Sequence, residues 1–137
     1  MATQYDALIA ATVKTFWLID NGRAAEVAAF FAPDGSLTFG PGAPRPGTIT
    51  GPDIAAAMQA RQDDSAAVSR HVLTNFVVEP AEDGRVVVRS LMTLFRTAIG
   101  DFSPQVRTVA DLVDTFAARP EGWKIVERNI LPVFGLA

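Results

Sequence analysis

The 137-residue sequence contains no cysteine. That excludes a disulfide framework, a cysteine nucleophile and any cysteine-ligated metal. Its single histidine excludes a multi-histidine metal site. Positive charge is scarce: 12 Lys and Arg stand against 15 Asp and Glu, a formal net charge of -3 and a pI near 5.0. A nucleic-acid binder would show clustered Lys and Arg instead. No apolar run approaches the roughly 20 residues of a spanning helix. The start, Met1 to Asp6, lacks a basic stretch followed by an apolar one. The expectation is a cytoplasmic protein that binds neither nucleic acid nor membrane. Also missing are G-x-S-x-G, a Walker loop, G-x-G-x-x-G and H-E-x-x-H. Gly40-Pro41-Gly42 precedes no helical pattern and cannot act as a phosphate cradle of the dinucleotide type.

What is present is core-forming material. The chain is 49% hydrophobic and 20% charged, with a mean hydropathy of +0.21. This excludes a disordered chain and predicts one domain over residues 1–137.

Residues 4–20 read as an amphipathic helix, with Ile9, Val13 and Phe16 at helical spacing. Asn21-Gly22 stops it, Gly22 suiting the left-handed position past a helix end. An Ala-rich second helix is expected over about 23–31. Ala32-Pro33-Asp34-Gly35 reads as a turn into a short strand at Ser36 to Phe39. Residues 40–48 hold three prolines and three glycines, so a loop is expected, either covering a cavity or crossing the surface. Gly51-Pro52-Asp53 opens a third helix with Ile54, Met58 and Arg61 on one face. Long strands follow at Val68 to Glu79, Arg85 to Thr97, Val106 to Ala118 and Trp123 to Leu131. Helices first and an antiparallel meander afterwards define an α+β fold.

Four positions break the local pattern. Asp20 lies at i+4 from Phe16 and i+7 from Val13, so it extends the apolar stripe of its helix. It is either a buried carboxylate that needs hydrogen-bond partners or a residue of a frayed last turn. His71 shares a strand face with Ser69, Leu73 and Asn75. It is either a structural residue or a proton carrier, since an imidazole titrates near 6.5 when unperturbed. Asp114, on one face with Leu112 and Phe116, is either a pocket acid or the partner of Arg128 across a hairpin. Asp111 occupies the opposite face.

Several segments together resemble a known family. They are Phe16-Trp17-Leu18-Ile19-Asp20-Asn21-Gly22, Phe30-Phe31-Ala32-Pro33-Asp34-Gly35, Gly51-Pro52-Asp53-Ile54 and Arg70-His71-Val72-Leu73-Thr74-Asn75. Asp114-Thr115-Phe116, Gly122-Trp123-Lys124-Ile125 and Arg128 complete the set. Their order and spacing resemble the SnoaL-like branch of the nuclear transport factor 2-like superfamily. The resemblance implies a cone-shaped barrel: a strongly bent, mainly antiparallel sheet wrapped around three N-terminal helices, with a deep apolar pocket. It also implies a homodimer formed through the outer face of the sheet. The superfamily holds ketosteroid isomerase, scytalone dehydratase, limonene epoxide hydrolase and polyketide cyclases. It also holds non-catalytic dioxygenase small subunits, so fold alone does not settle function.

Against scytalone dehydratase, Ile19-Asp20 falls where that family has a Tyr-Asp pair, and His71 where it has one of two catalytic histidines. The second histidine corresponds to a position near Ser90, and a polar helper to Leu112. Asp20 and His71 are therefore kept while three elements are replaced. The oxyanion hole of ketosteroid isomerase has no counterpart, since Tyr5 is the only tyrosine. With the resemblance counted, the expected activity is a cofactor-independent lyase or isomerase acting on a small apolar carbonyl-containing or cyclic molecule. His71 would be general base and then acid, and Asp20 would orient it. Asn75 and Ser90 would donate to a developing enolate oxygen. Phe16, Phe39, Met58, Met92, Leu112 and Phe116 would line the pocket, with Asp114 the further polar candidate. No metal or organic cofactor is called for. The alternative is a non-catalytic small-ligand-binding or dimeric scaffold protein.

Overall fold

A computed structural model describes residues 3–103 and 105–135. Helix α1 spans Gln4–Asp20. Thr3 caps it: its hydroxyl accepts from the Asp6 amide at 3.1 Å, and the Asp6 carboxylate accepts from the Thr3 amide at 3.0 Å. Gly22, at φ 76°, provides the left-handed residue that ends the helix. The buried side of α1 differs from the expected stripe. It carries Leu8, Thr12, Thr15, Phe16 and Leu18, while Val13 is 41% exposed. Two threonines turn inward because polar partners await them on the sheet.

The second helix is a short 3-10 helix, Ala24–Phe30, and α2 spans Pro52–Asp63 with Pro52 in its first turn. The strands are β1 (Phe31–Phe39), β2 (Gly47–Thr50), β3 (Ala67–Pro80), β4 (Val86–Ala98), β5 (Val106–Arg119) and β6 (Gly122–Gly135). They form one sheet in the order β2-β1-β6-β5-β4-β3. Neighbours run antiparallel except β1 and β6, which run parallel. The sheet is thus mixed and mainly antiparallel, as the α+β reading implied. The expected turn at Ala32 to Gly35 is a register shift inside a longer β1. Pro33 is tolerated there because a bulge leaves its missing N–H unneeded. The short strand β2 lies at the end of the Pro- and Gly-rich segment, where composition forecast only loop.

Register shifts also interrupt β3, β4–β5 and β5–β6. Each bulge bends the sheet and adds twist, which wraps it around the helices. Inside lies one apolar cluster in which Val88, Leu112, Phe116 and Ile125 are almost wholly buried. A charged pair lies within it. The Arg128 guanidinium donates to both Asp114 carboxylate oxygens at 2.7 Å, with side chains 3% and 0% exposed. Arg128 also donates to the Thr15 hydroxyl at 2.9 Å, and the Thr12 hydroxyl donates to Asp114 at 3.0 Å. This network fixes α1 against β5 and β6, and so fixes where Asp20, at the helix end, must lie.

Candidate functional site

Asp20 ends α1, where the helix dipole is negative and a carboxylate is disfavoured unless something compensates. Three donors from β3 do so. The His71 amide reaches Asp20 Oδ2 at 2.7 Å, His71 Nδ1 lies 2.7 Å from Oδ1, and the Ser69 hydroxyl donates to Oδ1 at 2.8 Å. The Asp20 and His71 side chains are only 6% and 10% exposed. Arg61 on α2 donates to the Ser69 hydroxyl at 3.0 Å, and Arg70 donates to the Asp20 carbonyl at 3.0 Å. The Phe16 ring lies 4.8 Å from the imidazole, centroid to centroid, at 47°.

Burial pushes the Asp20 carboxyl up, but the His71 imidazole, the His71 amide and the Ser69 hydroxyl together outweigh it. The carboxyl is held below its usual range. It is therefore ionised at neutral pH and accepts only. In the neutral ring the proton must then sit on Nδ1, which leaves the Nε2 lone pair free.

A lowered native value also predicts how stability depends on pH. The contribution of the Asp20 carboxylate is complete above the unfolded value of about 3.9. It is lost as pH falls through the lower native value. Asp20→Asn is expected to be less stable than the parent at pH 7, by about 1–3 kcal/mol for the charged hydrogen bonds lost. The deficit should shrink between about pH 5 and pH 2. Urea denaturation across that range checks this, and a deficit that stays constant would show the charge to be irrelevant.

His71 borders a cavity between the helices and the sheet. The cavity has two lobes of about 680 and 580 Å³ that share Phe39, Leu94 and Ile130 in their walls. Phe16 and Met58 wall the larger lobe and Met92 the smaller. Residues 42–45, in the Pro- and Gly-rich segment, contribute to the walls, so that segment covers the cavity.

Five other expected site residues lie elsewhere. Asn75 sits in a bulge at φ 57°, and the register shift between Thr74 and Val77 reverses the alternation. Phe76 takes the inward position and Asn75 is exposed, away from the cavity. Ser90 is buried with no hydrogen-bond partner for its hydroxyl, and with Asn75 and Leu112 it borders a separate hollow of about 430 Å³ rather than either lobe. Leu112 and Phe116 are core residues, 0% and 1% exposed. Asp114 is the partner of Arg128. Ser69 and Arg61 carry no role in the sequence reading. Their signals were a shared strand face with His71 and a shared helix face with Met58. Among the described residues no three His, Asp or Glu side chains converge as a metal site. No described helix is long and apolar enough to cross a membrane.

A bent mixed sheet closing over three helices, with a cavity at its open end, defines the nuclear transport factor 2-like cone fold. The sequence model of the SnoaL-like domain matches residues 1–129, and the chain belongs to that family. No curated protein matches it. Among solved structures it is similar to ActVI-ORFA from Streptomyces coelicolor. That match has 17% identity and a TM-score of 0.79, covering 94% of this chain and 96% of the other. It is similar to a protein assigned as a scytalone dehydratase from Novosphingobium aromaticivorans, at 16% identity and a TM-score of 0.79, over 97% and 86%. It also matches a protein assigned as the beta subunit of an aromatic-ring-hydroxylating dioxygenase from the same organism. There the identity is 16% and the TM-score 0.76, over 96% and 90%. At such identities the likeness is one of fold.

Proposed function

We propose that the protein is a cofactor-independent lyase or isomerase acting on a small apolar carbonyl-containing or cyclic molecule. The observation that carries this reading is the 2.7 Å contact between His71 Nδ1 and Asp20 at the wall of the cavity. Asp20 holds the ring in the Nδ1–H form. Nε2 then removes a proton next to a carbonyl and returns it elsewhere on the molecule or to a leaving group. Asp20 stabilises the imidazolium formed in between. Arg61, tied to the dyad through Ser69, brings positive charge to the larger lobe, where an enolate oxygen would develop. It takes the role first expected of Asn75 and Ser90.

Deuterium exchange tests the proposal without knowledge of the natural substrate. A panel of small cyclic ketones in D2O should incorporate deuterium beside the carbonyl faster with enzyme than in buffer, as followed by proton NMR. Binding of the ketones without accelerated exchange would instead favour a ligand-holding role, which the fold shared with the dioxygenase-type subunit also supports. We further propose that a second copy of the chain packs on the outer face of the sheet. Val72, Val77 and Leu131 are exposed there at 46%, 55% and 39%, and light scattering should report a dimer.

A further inference from the structure

The charge around the cavity opposes that of the molecule. The chain carries a net charge of -3, yet Arg45, Arg61, Arg96 and Arg107 all lie on the walls of the two lobes. Arg128 also reaches the larger lobe, but Asp114 neutralises it. Asp64 is the one acid on either wall. It meets Arg96 at 3.5 Å between two well-exposed side chains, a contact of small energetic weight. Arg107 spends one N–H on the Arg96 carbonyl at 3.2 Å. Arg45 makes no side-chain hydrogen bond or ion pair among the described residues. Arg45, Arg96 and Arg107 are exposed, whereas Phe39, Met58 and Ile130 form apolar walls.

Like charges gathered around one two-lobed cavity repel, and a single exposed acid, Asp64, offsets them. Arg61 supports Ser69 and the dyad; the other three guanidiniums have donors to spare. A guanidinium presents a planar fork of N–H groups that matches a carboxylate or phosphate two-pronged. A cleft of one sign with apolar walls also concentrates the opposite ion from solution.

We infer that Arg45, Arg96 and Arg107, exposed on the walls of the two lobes, form an anion-recognition rim, and that the ligand is a cyclic apolar body bearing an anionic oxygen group. The body enters the apolar lobe beside His71 while the anionic end stays at the rim. This deepens the reading above, since it rests on the same cavity as the substrate site. It sets the orientation as well: the reacting carbon lies at the end of the molecule away from its charge.

Three ligands of one ring system test it: 2-naphthoate, 2-naphthyl phosphate and the neutral methyl 2-naphthoate. Titration calorimetry at low salt should show at least one anion binding about tenfold tighter than the ester, the effect of a charge-assisted contact. Added salt should shrink that ratio. The triple replacement Arg45→Gln, Arg96→Gln and Arg107→Gln should bring it to within about twofold. Should that variant not fold, Arg45→Gln alone, which disturbs no hydrogen bond, should lower the ratio measurably. The stronger of the two anions identifies the group. Equal binding of all three ligands, or a ratio unchanged by the replacements, overturns the rim and leaves the cavity reading standing. Absence of any binding overturns both. Anion preference without deuterium exchange on ketones keeps the rim and removes the lyase or isomerase.

Discussion

Replacing Arg128 by methionine is expected to cost about 3–5 kcal/mol of folding stability. The variant leaves the Asp114 carboxylate with no counter-charge in the core, where that side chain is 0% exposed. Only the Thr12 hydroxyl, at 3.0 Å, would still bond to it. The penalty measures a stranded charge, not the worth of the pair. A double replacement, Arg128→Met with Asp114→Leu, should therefore recover much of the loss, because two packed apolar side chains need no partners. Urea denaturation of the parent, the single variant and the double variant checks both statements through the midpoint at constant slope. A single-variant loss below about 1 kcal/mol would mean that water reaches the carboxylate and that the network is not dry. The location ties the effect to the proposed site as well. The network seats α1, and α1 delivers Asp20 to His71.

His71→Asn is expected to lower the rate of exchange or turnover by about 10²–10⁴, the range for a proton-transfer group, with the fold retained. His71 borders the cavity and its Nδ1 is held by Asp20, so removing the imidazole takes away the group proposed to move the proton. Asp20→Asn should act on the same function by another route. An amide can offer an N–H to Nδ1, which favours the tautomer with the proton on Nε2 and blocks that atom as a base. The chain has one histidine, so its ring nitrogens give one pair of ¹⁵N signals. The parent should show Nδ1 protonated and the variant should not. If the pair is merely structural, His71→Asn will reduce stability and leave exchange untouched, and the activity proposal fails.

The helix end that carries Asp20 was legible because its four-residue spacing from Phe16 conflicts with a carboxylate on a polar face. His71 was legible because strand alternation is a local property, and the same alternation already placed Ser69 beside it. The alternation rule failed at Asn75, three residues before Val78, because a bulge adds a residue that no periodicity announces. Val13 was preferred to Thr12 and Thr15 because a stripe read by hydropathy has no place for threonines that face a buried ion pair. For Asp114 the hairpin to Arg128 offered one partner and the pocket another, and only the packing of α1 decides between them. The parallel pairing of β1 with β6 lay beyond local reading altogether. Its partners, such as Leu37 and Arg128, are separated by most of the chain. The arginines of the rim come from a loop and two strands, so no segment of sequence displays them as a group.

The seating of β1 on β6 also dictates when the molecule can be completed during synthesis. The contact from Arg128 to Thr15 spans 113 residues, and the first strand finds its second, parallel partner only in β6. While the ribosome is still making β6, α1 has no anchor at Arg128. β1 can pair only with the short β2, and β5 has an open edge with its N–H and C=O groups unpaired. Such an edge invites pairing with another chain, and contacts this distant in sequence form slowly. Expression yield should therefore depend on chaperone supply and temperature more than the stability of the finished protein would suggest.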